Sequence, residues 1–269
     1  MLHKSKIIIT LLLGFLLFSC TEENNTDLQK NEIENVLDSS KNALKYCNGS
    51  EDSKNPYNYV GEIHNEIVNA FVINHSNEKL DVDEIVAVVE NLANVNQNFL
   101  RIKDEEYTPV DSSIILKGAN DFENNFHTII NSLDLSSQAK DKLVTVVDYL
   151  FDKAYSSREP NLEDVQKNLI KFENDILSNK GFNELEKRTI LSAISTARYS
   201  TCYWYNYYGA IKVADNSITK KRKWWQWLIV GVADVGGAIA GSAGGPATAV
   251  TTGASASTTA YNLTNPRNK

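Results

Sequence analysis

From about residue 31 to residue 213, apolar side chains recur at three- and four-residue steps, the period of helices with one buried face. Ile33, Val36, Leu37 and Leu44 share a face of a first helix, and residues 57–73 predict a second, with Pro56 suited to its first turn. Asp81 with Glu84 reads as a capping pair, followed by a stripe of Ile85, Val88, Val89, Leu92, Phe99 and Ile102. Phe122, Phe126, Ile129, Ile130 and Leu133 predict a shorter helix, and Leu143, Val146, Val147, Leu150, Phe151 and Ala154 another. Pro160-Asn161 opens the next, whose face is Leu162, Val165, Leu169, Phe172 and Ile176, with Gly181 placed for a left-handed C-terminal cap. Asn183 with Glu186 restarts the chain, and Ile190, Ala193, Ile194 and Ala197 carry the stripe onward. No Asn-Gly hairpin with alternating flanks appears, so strands have little support. The pattern predicts an all-α fold, a helical bundle of about seven helices over residues 31–213.

The pattern changes beyond Tyr208. Seven of the 13 glycines lie between Gly231 and Gly253, and all four tryptophans lie at or beyond Trp204. A basic linker, residues 214–223, ends in Lys220-Lys221-Arg222-Lys223, and Trp224-Trp225-Gln226-Trp227 follows at once. Ala233, Gly237, Gly241, Gly245, Ala249, Gly253 and Ser257 then recur every fourth residue, a ridge that lets another helix approach closely. Gly244-Gly245-Pro246 breaks the run, predicting a Gly/Ala-rich helical hairpin over residues 224–262 and a disordered tail at 263–269. The ridge resembles the glycine-zipper pattern of membrane-associated helices and of some pore-forming or bacteriocin-like peptides. Lys221, Arg222, Trp224, Trp225 and Trp227, with Gly237, Gly241 and Gly245, are thus candidate membrane or partner contacts. Cations suit phosphates and indoles suit the headgroup region. Asp234 weighs against insertion, because a charge at mid-bilayer costs roughly 2.5–3.5 kcal/mol and Gly and Ala return little. The other outcome is a hairpin that folds back on the bundle and buries Trp225 and Trp227.

At the other end, Lys4 and Lys6 precede an apolar run of about a dozen residues, shorter than the ~20 a spanning helix needs. The run ends on Leu17-Phe18-Ser19-Cys20, which resembles the bacterial lipobox. That resemblance implies a signal peptide at residues 1–19, a lipid on Cys20, a flexible tether at 20–30 and an outer-membrane lipoprotein of the cell envelope. Glu22 and Glu23 resemble the surface-export signal of lipoproteins in the Bacteroidota, which implies surface display; retention on the periplasmic side stays open.

Processing would remove two of the 27 basic residues, Lys4 and Lys6, and none of the 34 acids, moving the net charge from −7 to −9. That balance opposes nucleic-acid binding, which needs a basic footprint. Cys47 and Cys202 are the remaining thiols. In an oxidising compartment they could form one disulfide, worth roughly 5 kcal/mol on chain-entropy grounds; two separate buried thiols are the other outcome, and sequence supplies no distance to decide.

Residues 55–66, Asn-Pro-Tyr-Asn-Tyr-Val-Gly-Glu-Ile-His-Asn-Glu, resemble a motif of uncharacterised secreted bacterial proteins, to which no activity is attached. Glu62, His64 and Glu66 form a candidate polar site, since a His near carboxylates can bind zinc or act as a base. No His-Glu-x-x-His or Cys-x-x-Cys spacing completes a metal site, so neither a metal nor another cofactor is expected. Tyr199, Tyr203, Trp204, Tyr205, Tyr207 and Tyr208 cover more than one helical face, so they either anchor a partner or pack under the hairpin. The leading expectation is a non-enzymatic binding or envelope-interaction lipoprotein, held to the membrane by Cys20 and meeting a protein or glycan. The alternative is a membrane-active, bacteriocin-like effector that uses the tail.

Overall fold

The computed structural model describes residues 38, 40–45, 47, 54–120, 122–214 and 226–264. Among them are ten α-helices and no strand. They are α1 (Asn58–His75), α2 (Val82–Val95), α3 (Gln97–Ile102), α4 (Ser112–Asn120) and α5 (Phe122–Ser132), then α6 (Ser137–Ala154), α7 (Leu162–Ser178), α8 (Glu184–Ala214), α9 (Gln226–Gly241) and α10 (Gly245–Thr264). The all-α class is as the periodicity predicts. Residues 1–19, expected as a signal peptide, the expected tether with Cys20, residues 215–223 of the basic linker, and Trp224 and Trp225 lie outside the described residues.

Polar side chains set the helix starts. Asp81 accepts from Glu84 N at 2.9 Å while its own N–H donates to Glu84 Oε2 at 2.9 Å, a closed capping box. Asn183 and Glu186 repeat that exchange at the start of α8. Asn161 opens α7 by accepting from Glu163 N at 2.8 Å. Several details differ from the sequence pattern: α4 lies where no helix was expected, and α10 runs to Thr264, into residues expected as a disordered tail. The stripe from Ile85 to Ile102 is two helices, because Asn96 turns extended (ψ 119°) and its side chain caps Phe99 N at 2.8 Å. A side-chain cap thus interrupts a hydrophobic period that runs on undisturbed. Gly181 is no left-handed cap: α7 ends at Asn179 in an extended conformation, and Asn179 Oδ1 accepts from Gly181 N at 2.7 Å. Gly245, at φ +81°, is the glycine that turns, between the 3-10 turn Ser242–Gly244 and α10.

The α9–α10 hairpin occupies the centre. Its two helices pack most extensively on each other; α9 packs next on α8 and α10 next on α1, which also lies across α8. α6, α5 and α4 cover α9, and α2 and α4 cover α10. Gly237 and Gly241 allow the two arms to touch. A Cβ at either would stand 2.5 Å from a carbonyl oxygen, that of Thr252 or of Thr248. The stretch Gln226–Thr264 is long and apolar enough to cross a membrane by length and composition, yet 78% of its most apolar window is buried inside the protein. Leu228, Val230, Val232, Val235 and Ile239 on α9 are all fully buried, as are Val250 and Ala254 on α10.

The aromatic cluster packs beneath this hairpin. Trp204 stacks on Tyr261 of α10 at 5.2 Å, and Tyr207 shares a 2.9 Å hydroxyl hydrogen bond with Tyr261. Trp227 is 2% exposed, with Tyr205 edge-on to it at 5.4 Å. Cys47 and Cys202 are joined by a disulfide with Cα atoms 5.8 Å apart, tying the segment before α1 to α8.

Candidate functional site

Two buried polar clusters lie on different faces of α8, anchored by residues two apart in sequence and so roughly 200° apart around the helix. On one face stands Arg198, fully buried, whose Nε donates to Glu173 of α7 at 3.0 Å. Its Nη2 donates to Asn58 at the start of α1. Asn55 Nδ2 donates both to Glu173 Oε1 at 2.6 Å and to the Leu191 carbonyl at 3.1 Å. The Asn-Pro-Tyr-Asn motif is therefore a lock between α1, α7 and α8. Gly61 belongs to the same lock: a Cβ there would stand 2.6 Å from the Ser195 carbonyl oxygen.

On the other face Ser200 donates to Asp234 of α9, and Trp204 Nε1 donates to the same Asp234 Oδ2 at 3.2 Å. Trp204 Nε1 also reaches Ser257 Oγ of α10 at 3.2 Å. From α1, His64 brings Nε2 to 3.7 Å from Asp234 Oδ2, beyond hydrogen-bond length. All of these side chains are fully buried. Burial, the largest influence, pushes the Asp234 carboxyl up to about 7, against the pull of donors from Ser200, Ser257 and Trp204. Burial likewise drives the His64 imidazole down to about 4, opposed by Asn65 and the Gly253 backbone. Between those values both groups are uncharged, so the site carries no net charge through most of the mildly acidic range.

The set contains a serine, a histidine and an aspartate, the residue types of a hydrolytic triad, but not its geometry. A triad needs the serine hydroxyl on the imidazole and the carboxylate behind it. Here the serine donates to the carboxylate, and no member reaches solvent. The chemistry left is that of a pin joining four helices.

Of the sequence-derived trio Glu62, His64 and Glu66, the last two turn to different partners. His64 faces Asp234, with Nδ1 3.2 Å from Asn65 Oδ1. Half-buried Glu66 accepts from Asn96 at 2.8 Å and from Asn98 at 2.9 Å, holding the α2–α3 corner. No group of three or more His, Cys, Asp or Glu suited to a metal occurs among the described residues. Sequence reasoning missed the role of Asp234, whose partners Ser257, Trp204 and Ser200 stand 23, 30 and 34 residues away. A usable signal was nevertheless present. An Asp in a Gly/Ala run and a His on a helix face both need buried partners, and α8 offers the hydroxyl and the indole. The third feature is a cavity of about 160 Å³ between α4, α5, α9 and α10, with almost wholly apolar walls.

Comparison with protein-family models, curated proteins and solved structures finds no match to this chain.

Proposed function

We propose that the protein is a non-enzymatic binding module of the bacterial cell envelope, an outer-membrane lipoprotein held by a lipid on Cys20, with a protein or glycan as its partner. The observation that carries this reading is the seating of the hairpin. With Trp227, Asp234 and the small residues of α9 and α10 buried against α1 and α8, the tail serves as the core of the bundle. Its glycine-zipper-like ridge is occupied by the partner arm, at Gly237 and Gly241, which leaves the ridge no free face for oligomeric assembly in a bilayer. The closed geometry around Ser200, His64 and Asp234 supports a non-enzymatic role.

A membrane-active effector is the second reading, favoured by one observation: residues 226–264 have the length and apolarity of a membrane hairpin. Vesicle flotation separates the two. Residues 21–269 without lipid are mixed with anionic and with neutral vesicles, beside the full acylated chain. The binding-module reading predicts that the acylated form floats and the unacylated form stays in the dense fraction with either vesicle. Flotation or vesicle leakage by the unacylated form would replace it with the effector reading. Truncation before the hairpin is no substitute, because it removes the centre of the core.

A further inference from the structure

The cavity beside the hairpin measures about 160 Å³ and is walled chiefly by Ile115, Ile129, Ile229, Ala240 and Leu263. Among the described residues, no ionisable side chain lines it. Thr259 of α10 does line it, is 2% exposed, and has no hydrogen-bond partner for its hydroxyl. Elsewhere on α10, Thr248, Thr251, Thr258 and Thr264 each return the hydroxyl to a carbonyl one turn back. Thr259 does not use that local solution, and a buried hydroxyl without a partner is costly.

We propose that this cavity is a binding site for a small apolar molecule carrying a single hydroxyl or carbonyl oxygen, which meets the Thr259 hydroxyl. The volume sets the size. An apolar cavity of about 150 Å³ accepts benzene, so about six to eight non-hydrogen atoms fit here. Of a full lipid acyl chain the space would hold only one end. A lone water would satisfy Thr259 but leave most of the apolar wall uncontacted. The wall does not suit an ion, because none of its described side chains could match the charge. The flanking Gly236 shows how tightly the wall is shaped: Phe126 covers it so closely that an added Cβ would stand 1.3 Å from the ring. This assignment deepens the binding-module reading and rests on it for its biological sense, yet it fails separately, since flotation does not report on the cavity.

The test uses the mature chain with benzyl alcohol and toluene as probes, followed by methyl NMR. Both probes are expected to give saturable shifts at the methyls of Ile115, Ile129 and Leu263, with those of Leu143 and Val146 unmoved. Thr259→Val should weaken benzyl alcohol about threefold to tenfold, the worth of one buried hydrogen bond, and leave toluene unchanged. Ala240→Leu, which fills the space, should abolish both. Gly118→Leu, at a wall position with no atom within 4 Å of its Cβ, replaces it if that variant does not fold. Absence of saturable shifts, or a Thr259→Val effect equal for the two probes, overturns the proposal.

Discussion

The two faces of α8 solve the burial of polar groups in opposite ways. The face toward α7 keeps full charges and pairs them: Arg198 with Glu173, backed by Asn55 and Asn58. The face toward the hairpin holds ionisable groups that are uncharged between about pH 4 and 7: Asp234 with Ser200 and Trp204, and His64 close by. The difference follows from the partners available. Arginine stays protonated in any protein environment, so its burial demands a carboxylate. Asp and His can give up their charge, so hydroxyl and indole donors suffice. A paired charge is vulnerable to loss of its partner, and a neutral cluster is vulnerable to pH.

Arg198→Met attacks the charged face and should have the largest effect. It leaves Glu173 without its cation, at a cost of about 3–5 kcal/mol in urea unfolding. The double variant Arg198→Met, Glu173→Leu should recover much of that loss. A single-variant cost under about 1 kcal/mol would mean that the pair does not hold α7 to α8.

Asp234→Asn attacks the neutral face, and its signature is a pH profile. Raised to about 7, Asp234 contributes stability that is present below the ordinary carboxylate range and lost as pH rises to about 7. Lowered to about 4, His64 contributes stability that is present above its ordinary value of 6.5 and lost as pH falls to about 4. Between about pH 4 and 6.5 the two slopes oppose and largely cancel. Asp234→Asn exposes the histidine slope, so the variant should lose roughly 3 kcal/mol relative to wild type on acidification from pH 6.5 to 4. Parallel unfolding profiles for the two proteins would show that burial does not raise the Asp234 carboxyl.

Gly237→Ala probes how closely the hairpin arms approach behind the neutral face. Its Cβ would meet the Thr252 carbonyl at 2.5 Å, so a loss of about 1–3 kcal/mol is expected in thermal unfolding. Gly118→Ala, on α4 outside both faces, is the contrast. With nothing within 4 Å of its Cβ, the substitution should raise stability by about 0.5–1 kcal/mol. Equal effects at the two positions would show that the hairpin is not as tightly seated as its geometry requires.

The outer helices were the legible part of the fold. α6 and α7 carry one buried stripe each, Leu143 to Ala154 and Val165 to Ile176, and a stripe with one wet face announces both helix and orientation. The break at Asn96 and the helix α4 were less legible, the first because a side-chain cap left the hydrophobic period intact. The candidate site was hardly legible at all. His64, Ser200, Asp234 and Ser257 come from four helices, and no local spacing connects them.

The chain alone determined that these segments are helices, that Gly244-Gly245-Pro246 turns the last two into a hairpin, and that Asp234 stands in an otherwise apolar run. Only the tertiary structure decided where that run goes. A Gly/Ala-rich helix without a polar face suits a bilayer or a protein interior equally, since both withdraw it from water. What separates them is whether other side chains are positioned to meet its small residues and its one acid. Here Ser200, Trp204 and His64 meet Asp234, and Thr248 and Thr252 meet the glycines, so the hairpin is the core.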